Sequence, residues 1–168
     1  MHLLVAQSGT IDDGSEPRDL DQSPGDIVVL SAADTELALL SQVHARRLTQ
    51  SEAGGPHRSL RLANWLQLKH NYSVDLYLEK TLAGAQIIIV RLLGGKTYWP
   101  YGLERLSSAA KHGDFELVVL PGDDKPDRSL EGTSTVSAEF REYLWGYLTE
   151  SGAENANLFL EAVNAHLN

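Results

Sequence analysis

One segment of the sequence carries most of the side chains that could bind a ligand. Residues 91–102 read Arg-Leu-Leu-Gly-Gly-Lys-Thr-Tyr-Trp-Pro-Tyr-Gly. Aromatic rings can stack on a flat ligand, while a guanidinium or ammonium group beside them pairs with a carboxylate. This pattern predicts a ligand-binding loop whose contact residues are Arg91, Lys96, Tyr98, Trp99 and Tyr101. The alternative is that Trp99 and Tyr101 close the hydrophobic core beneath the loop.

A second segment is rich in carboxylates. Residues 120–127 read Leu-Pro-Gly-Asp-Asp-Lys-Pro-Asp. Adjacent carboxylates after a strand could hold a divalent cation, which predicts Asp123 and Asp124 as metal ligands. Consecutive aspartates between glycine and proline are also what a tight turn selects, so a turn without a metal is the alternative.

Basic residues are concentrated between positions 44 and 70. Five of them stand there against Glu52 alone: Arg46, Arg47, Arg58, Arg61 and Lys69. Such a bias can attract a carboxylate-rich ligand, for which Arg58 and Arg61 are candidates, or it can be a solvated face. The whole chain has a net charge of −9, and binding to a phosphate backbone needs a basic footprint that it lacks. We therefore expect no nucleic acid as a partner.

Composition excludes several further classes of protein. The 168 residues include no cysteine, which rules out disulfides, thiolate catalysis and iron–sulfur clusters. The glycine pair before Lys96 lacks the spacing of a phosphate-binding P-loop, and no dinucleotide-binding glycine motif occurs. Apolar runs such as residues 87–90 are too short to span a membrane, and residues 1–6 lack the basic start of a signal peptide. We expect a cytoplasmic protein that does not bind membranes.

Short apolar runs alternate with helical periodicity, which is typical of an α/β domain. The predicted strands cover residues 2–6, 27–30, 86–92 and 115–120. The predicted helices begin near Ser31 or Asp34, at Ser73, near Tyr101, after Ser137 and at Ala153; residues 59–68 are expected to be irregular or helical. The sequence thus predicts one domain over residues 1–168, a small three-layer sandwich of flavodoxin or Rossmann type. Its central sheet would be mainly parallel, with about four strands.

This fold class determines where a ligand would bind. In open α/β sheets, ligands lie outside the carboxyl ends of the strands. Three segments follow predicted strands and are expected to meet there: residues 31–34, 91–102 and 121–127. The loop with the aromatic residues and the acidic loop are both among them.

The same segments resemble a known family. Arg-Leu-Leu-Gly-Gly at 91–95, followed by Tyr98-Trp99 and Tyr101-Gly102, resembles the large subunit of the aerobic cobaltochelatase, the CobN type. Residues 120–127 resemble it as well, as do residues 1–10, 27–37, 59–70 and 73–75, in order along the whole chain. The Gly-Gly, Tyr-Trp and Tyr-Gly pattern is also similar to the large subunit of magnesium chelatase.

The resemblance implies a function. The large subunit of the family binds the tetrapyrrole, and two smaller ATPase subunits drive metal insertion, so ATP and magnesium would be bound by those partners and not by this chain. The substrates would be cobalt(II) and hydrogenobyrinic acid a,c-diamide, a corrin that bears several carboxylates, in aerobic cobalamin synthesis. Because the family's subunit is much longer, this chain would be its N-terminal domain. The alternative is a non-catalytic module that docks the ATPase subunits or the rest of the large subunit.

Overall fold

The central element of the fold is a parallel four-stranded sheet. In a computed structural model that describes residues 16–51 and 57–168, the strands are β1 (Ile27–Ser31), β2 (Leu60–Asn64), β3 (Ile87–Leu92) and β4 (Glu116–Pro121). Their order is β2-β1-β3-β4, and each neighbouring pair is parallel. The prediction of a mainly parallel sheet of about four strands is confirmed. The strand predicted at residues 2–6 lies outside the described residues.

Helices cover both faces of this sheet and complete the predicted three-layer sandwich. They are α1 (Asp34–Gln50), α2 (Asn71–Lys80), α3 (Pro100–His112), α4 (Ala138–Glu150) and α5 (Gly152–Leu167). Apolar residues of α2 and α3 pack with one set of strand side chains, and those of α1, α4 and α5 pack with the other. Every residue of β1 and β3 is buried, as expected for strands covered on both faces. Within the described ranges, none of the helices has the length and apolar character that crossing a membrane requires.

Residues 59–68 differ from their prediction as an irregular or helical segment. They form β2 and then a single 3-10 turn, Trp65–Leu68. The strand pairs with β1 from Ile27 opposite Leu60 to Ser31 opposite Asn64. Its short stretch of alternating polarity fits either conformation, so the pairing with β1 decides that it is extended.

One smaller prediction, the start of α2, is also corrected. The N-cap of α2 is His70, whose Nδ1 accepts from the Tyr72 amide at 3.0 Å, and not Ser73. Ser73 is buried, and its Oγ accepts from the Arg18 amide at 2.7 Å. On α1, the buried positions are Leu40 and Val43, whereas Leu48 in the last turn is exposed.

The strand order creates a switch point between β1 and β3. From β1 the chain crosses to β2 on one side, and β3 and β4 follow on the other side. The loops after β1 and β3 therefore lead to opposite faces of the sheet, and in open α/β sheets ligands bind at such a switch point, outside the carboxyl ends of the two strands. We call this end of the sheet the carboxyl edge, and the opposite end the amino edge.

A candidate ligand-binding edge

The loop that follows β3 presents an exposed ring at the carboxyl edge. Gly94 and Gly95 have φ of 89° and 81°, which side-chain-bearing residues rarely adopt. A Cβ added at Gly94 would lie 2.5 Å from the ring of Tyr98, so the absence of a side chain lets this ring lie against the backbone. Tyr98 is 59% exposed, and Leu93 and Lys96 beside it are exposed as well. We call Leu93, Lys96 and Tyr98 the loop platform.

The next residue, Trp99, belongs to the core and not to the platform. Its side chain is buried, and its ring stacks on Trp65 with centroids 5.9 Å apart. Its Nε1 donates to the carbonyl of Leu68 at 2.9 Å, which satisfies its polar atom inside the protein. Trp99 therefore closes the hydrophobic core under the loop, as the alternative interpretation of this residue proposed.

Tyr101 lies between these two cases. It is half-buried in the first turn of α3, and its hydroxyl donates to Asp75 Oδ1 on α2 at 2.8 Å. This hydrogen bond raises the pKa of Tyr101, and desolvation and the negative charge of Asp75 add to the effect. The ring thus links the two helices of one face, and its hydroxyl is already used within the protein.

Arg91, near the end of β3, is buried and fully engaged. Its guanidinium forms an ion pair with Glu36 in the first turn of α1. It also donates to the carbonyls of Pro121 at 3.1 Å and Asp123 at 3.4 Å. Arg91 therefore joins α1, β3 and the loop after β4 at the carboxyl edge. One oxygen of the pair, Glu36 Oε1, is buried without a hydrogen-bond partner in the described part of the chain.

The acidic loop after β4 is built as a turn that packs on the loop platform. A Cβ at Gly122 would lie 2.6 Å from the Leu93 amide nitrogen, so the two loops touch backbone to backbone. Asp123 and Asp124 are exposed, and Asp123 Oδ1 accepts from the Lys125 amide at 3.0 Å. No group of three or more potential metal-binding side chains occurs in residues 16–51 and 57–168. The two aspartates thus gain no further ligand there.

The structure does not bring Arg58 and Arg61 to this edge. Arg61 stands near the start of β2 and donates to the carbonyls of Ser23 at 2.9 Å and Pro24 at 3.0 Å. Arg58 precedes the same strand and donates to the carbonyl of Leu167, at the end of α5, at 3.0 Å. Both arginines lie near the amino edge, because they stand at or just before the start of β2 and this strand runs in the same direction as β1.

Sequence reasoning missed two features of the surface. Leu66 and Tyr72 follow β2 and are exposed, as is Leu93, so apolar surface at the carboxyl edge extends beyond the aromatic motif. At the amino edge, α1 and α5 border a cleft of about 540 Å³ that includes Arg58. The sequence held a signal for the exposure of Leu93. This residue follows a buried strand directly and precedes a glycine pair, where the chain leaves the core.

Fold and edge together define an α/β domain whose candidate ligand- or partner-binding surface lies outside the carboxyl ends of parallel strands. No family model matches the chain. The chain is 53% identical, over 161 residues and 96% of its length, to the aerobic cobaltochelatase subunit CobN of a Sinorhizobium species. It is 43% identical over 161 residues to CobN of Pseudomonas aeruginosa, which covers 95% of the chain. The catalytic subunit of cobaltochelatase from Mycobacterium tuberculosis superposes with a TM-score of 0.61, at 26% identity over 82% of the chain.

These similarities confirm the predicted resemblance to the CobN-type cobaltochelatase subunits. It spans 12% of the length of each curated relative and 10% of the Mycobacterium tuberculosis subunit.

Proposed function

We propose that this chain is part of the tetrapyrrole-binding large subunit of a cobaltochelatase. The enzyme would be an ATP-dependent ligase that forms nitrogen–metal bonds and inserts cobalt(II) into hydrogenobyrinic acid a,c-diamide during cobalamin biosynthesis. Identity of 53% to a subunit named CobN, over nearly the whole chain, supports this family role. Two ATPase subunits would bind ATP and magnesium and drive the insertion. The chain itself would be the first domain of the subunit.

The loop platform is the part of this chain that we propose contacts the corrin. The observation that carries the proposal is the exposed Tyr98 ring, which lies beside Lys96 and Leu93 at the carboxyl edge. A ring and an apolar side chain can pack on the flat macrocycle, while the ammonium group of Lys96 pairs with one of its carboxylates. Arg91 would act beneath the platform, because its ion pair with Glu36 holds the two loops of the edge together.

One observation is compatible with the docking alternative. Of the three aromatic residues in the motif, Trp99 is buried and the hydroxyl of Tyr101 is bonded to Asp75. The platform therefore offers one ring and one leucine, Leu93, an apolar surface that a protein partner could also cover. In that case the carboxyl edge would contact an ATPase subunit or the remainder of the large subunit.

A titration with metal-free hydrogenobyrinic acid a,c-diamide, followed by the absorbance of the corrin, separates the two functions. We expect saturable binding by the chain, weakened about 2- to 10-fold in Tyr98→Ala through the loss of stacking. Tyr143→Ala is the matched control, because Tyr143 is 57% exposed but lies on α4 and is not part of the loop platform. Lys96→Gln should weaken binding of the corrin, and less so at high salt, where ion pairs are screened.

Two results would contradict the corrin-binding role. One is a folded chain that shows no saturable binding, and the other is an equal loss in Tyr98→Ala and Tyr143→Ala. The purified ATPase subunits would then be tested against the same variants. Binding lost in Tyr98→Ala and retained in Tyr143→Ala would establish the docking function.

A further inference from the structure

The amino edge holds a cleft that is independent of the loop platform. It has a volume of about 540 Å³ and lies between the C-terminal half of α1 and the side of α5 that carries Asn157, Glu161 and Asn164, next to the start of β2. We call it the amino-edge cleft. Among the residues that the structure describes, nearly all of its lining side chains are polar or charged: His44, Arg47, Gln50, Ser51, His57, Arg58, Asn157, Glu161, Asn164 and Asn168, with Leu48. A volume of this order suits a small organic ligand.

Neutral oxygens, not carboxylates, hold the two arginines of the cleft. Arg47 Nη1 donates to Asn157 Oδ1 at 2.7 Å. Arg58 donates to the carbonyls of Asn164 at 3.2 Å and Leu167 at 3.0 Å, and to Gln86 Oε1 at 3.0 Å. These acceptors orient the guanidinium groups without cancelling their charge. Arg47 uses one of its five N–H groups in this way, so the others can donate to a ligand.

The electrostatics of the cleft are dominated by cations. Burial lowers the pKa of His44, and the positive charges of Arg47, His57 and Arg61 lower it further. Within residues 16–51 and 57–168, no carboxylate is among the groups that shift this imidazole. Two features oppose the positive potential: Glu161 is the acidic residue among the described lining residues, and the carboxyl ends of α1 and α5 each contribute about half a negative charge.

We propose that the amino-edge cleft is a second binding site, for a small ligand that carries two or more negatively charged oxyanion groups. Arg47 would donate its free N–H groups to one of these groups, and the amides of Asn157 and Asn164 would border it. Glu161 would set an upper limit on the charge that the site accepts. Phosphate esters and polycarboxylates share this chemistry, and pyrophosphate and citrate represent the two sources.

Calorimetric titration of the chain with pyrophosphate and with citrate, at constant ionic strength in potassium chloride, tests the proposal. We expect saturable binding of at least one probe. Arg47→Gln should weaken it about tenfold or more, the usual loss for a charge-assisted hydrogen bond. Arg46→Gln is the matched control, because Arg46 is the adjacent residue on α1, carries the same charge and does not line the cleft. Glu161→Gln should tighten binding severalfold.

The two probes also identify the source of the ligand. Tighter binding of pyrophosphate would assign the site to a phosphate-bearing ligand, and tighter binding of citrate to a polycarboxylate; either supports the proposal. Absence of saturable binding by the folded chain, or equal losses in Arg46→Gln and Arg47→Gln, would overturn it. Because the variants leave the loop platform intact, their result does not depend on whether the chain binds a corrin.

Discussion

The ion pair between Arg91 and Glu36 is expected to be a structural element whose removal destabilises the whole domain. The side chains are 7% and 13% exposed, so each charge is held almost entirely by the protein. Removing one partner of a buried pair costs about 3–5 kcal/mol, because the other charge is left without compensation. Glu36→Leu should lower the free energy of unfolding by about 3 kcal/mol, because Arg91 still donates to the carbonyls of Pro121 and Asp123. Arg91→Met should lower it by about 5 kcal/mol, because the Glu36 carboxylate then has no partner among the described residues.

The double variant distinguishes a buried pair from two independent effects. Glu36→Leu with Arg91→Met removes both charges, and the main loss is the donor to the Pro121 carbonyl, about 1 kcal/mol. The Asp123 carbonyl still accepts from Trp145 Nε1 at 2.9 Å. The double variant should therefore be more stable than either single variant, and the three values correspond to a coupling energy of about 7 kcal/mol.

Urea unfolding at pH 7.5, followed by tryptophan fluorescence, measures all four proteins of this cycle. In thermal unfolding, a loss of about 3 kcal/mol corresponds to a Tm lowered by about 6–12 °C for a chain of this size. Single variants within about 1 kcal/mol of the parent, with a coupling energy near zero, would refute the reasoning. That result would mean that the Arg91 guanidinium is hydrated and free to meet a ligand.

Three further predictions concern the core, the edge of the sheet and pH. Gly102→Ala would place a methyl group within the ring of Trp99 and should lower stability by about 1–3 kcal/mol in thermal unfolding; Gly146→Ala, with nothing within 4 Å, should instead raise it slightly. Thr135→Val removes the Oγ1 that accepts from the Leu117 amide at 2.8 Å on β4, which should cost about 1–3 kcal/mol and accelerate hydrogen exchange of that amide. Burial and nearby cations lower the pKa of His44, so the folded chain binds this proton less readily than the unfolded chain does. Its contribution to stability is therefore present above about pH 6.5 and is lost as the pH falls below it, and His44→Gln should show a smaller loss in urea titrations.

Each of these predictions has an outcome that would contradict it. Equal stability of Gly102→Ala and Gly146→Ala would mean that the Trp99 ring moves freely. Unchanged exchange of the Leu117 amide in Thr135→Val would show that water replaces the hydroxyl. A pH profile identical in His44→Gln and the parent would assign the loss of stability to other groups.

The strands and helices could be predicted largely from the sequence, because their patterns are strong and local. Residues 86–92 contain three isoleucines and a valine in a row, and such a run has few alternatives to a strand buried on both faces. The exception is β2. Its five residues, Leu-Arg-Leu-Ala-Asn, are mixed in polarity, and hydrogen bonds to β1 decide their conformation.

The candidate site could be predicted as a segment but not as a set of side chains. Tyr98 and Trp99 are neighbours of similar chemistry, yet one is 59% exposed and the other 3%. The positive φ of Gly94 and Gly95 turns the chain, and the space beside Trp65 accepts only the second ring. The glycine pair marks the turn in the sequence. The space beside Trp65 does not follow from spacing, because Trp65 and Trp99 are far apart along the chain.

By itself the sequence determined the α/β class, the parallel sheet, the loops that meet at its carboxyl edge and the CobN-type resemblance, because each depends on local pattern or on order along the chain. Only the tertiary structure decided which of the charged residues are free. Arg91 is neutralised by Glu36, 55 positions away, and Arg47 is held by Asn157, 110 positions away. Contacts over such separations are made by packing helices on a sheet, so charge and residue type alone could not distinguish a buried tether from a binding group.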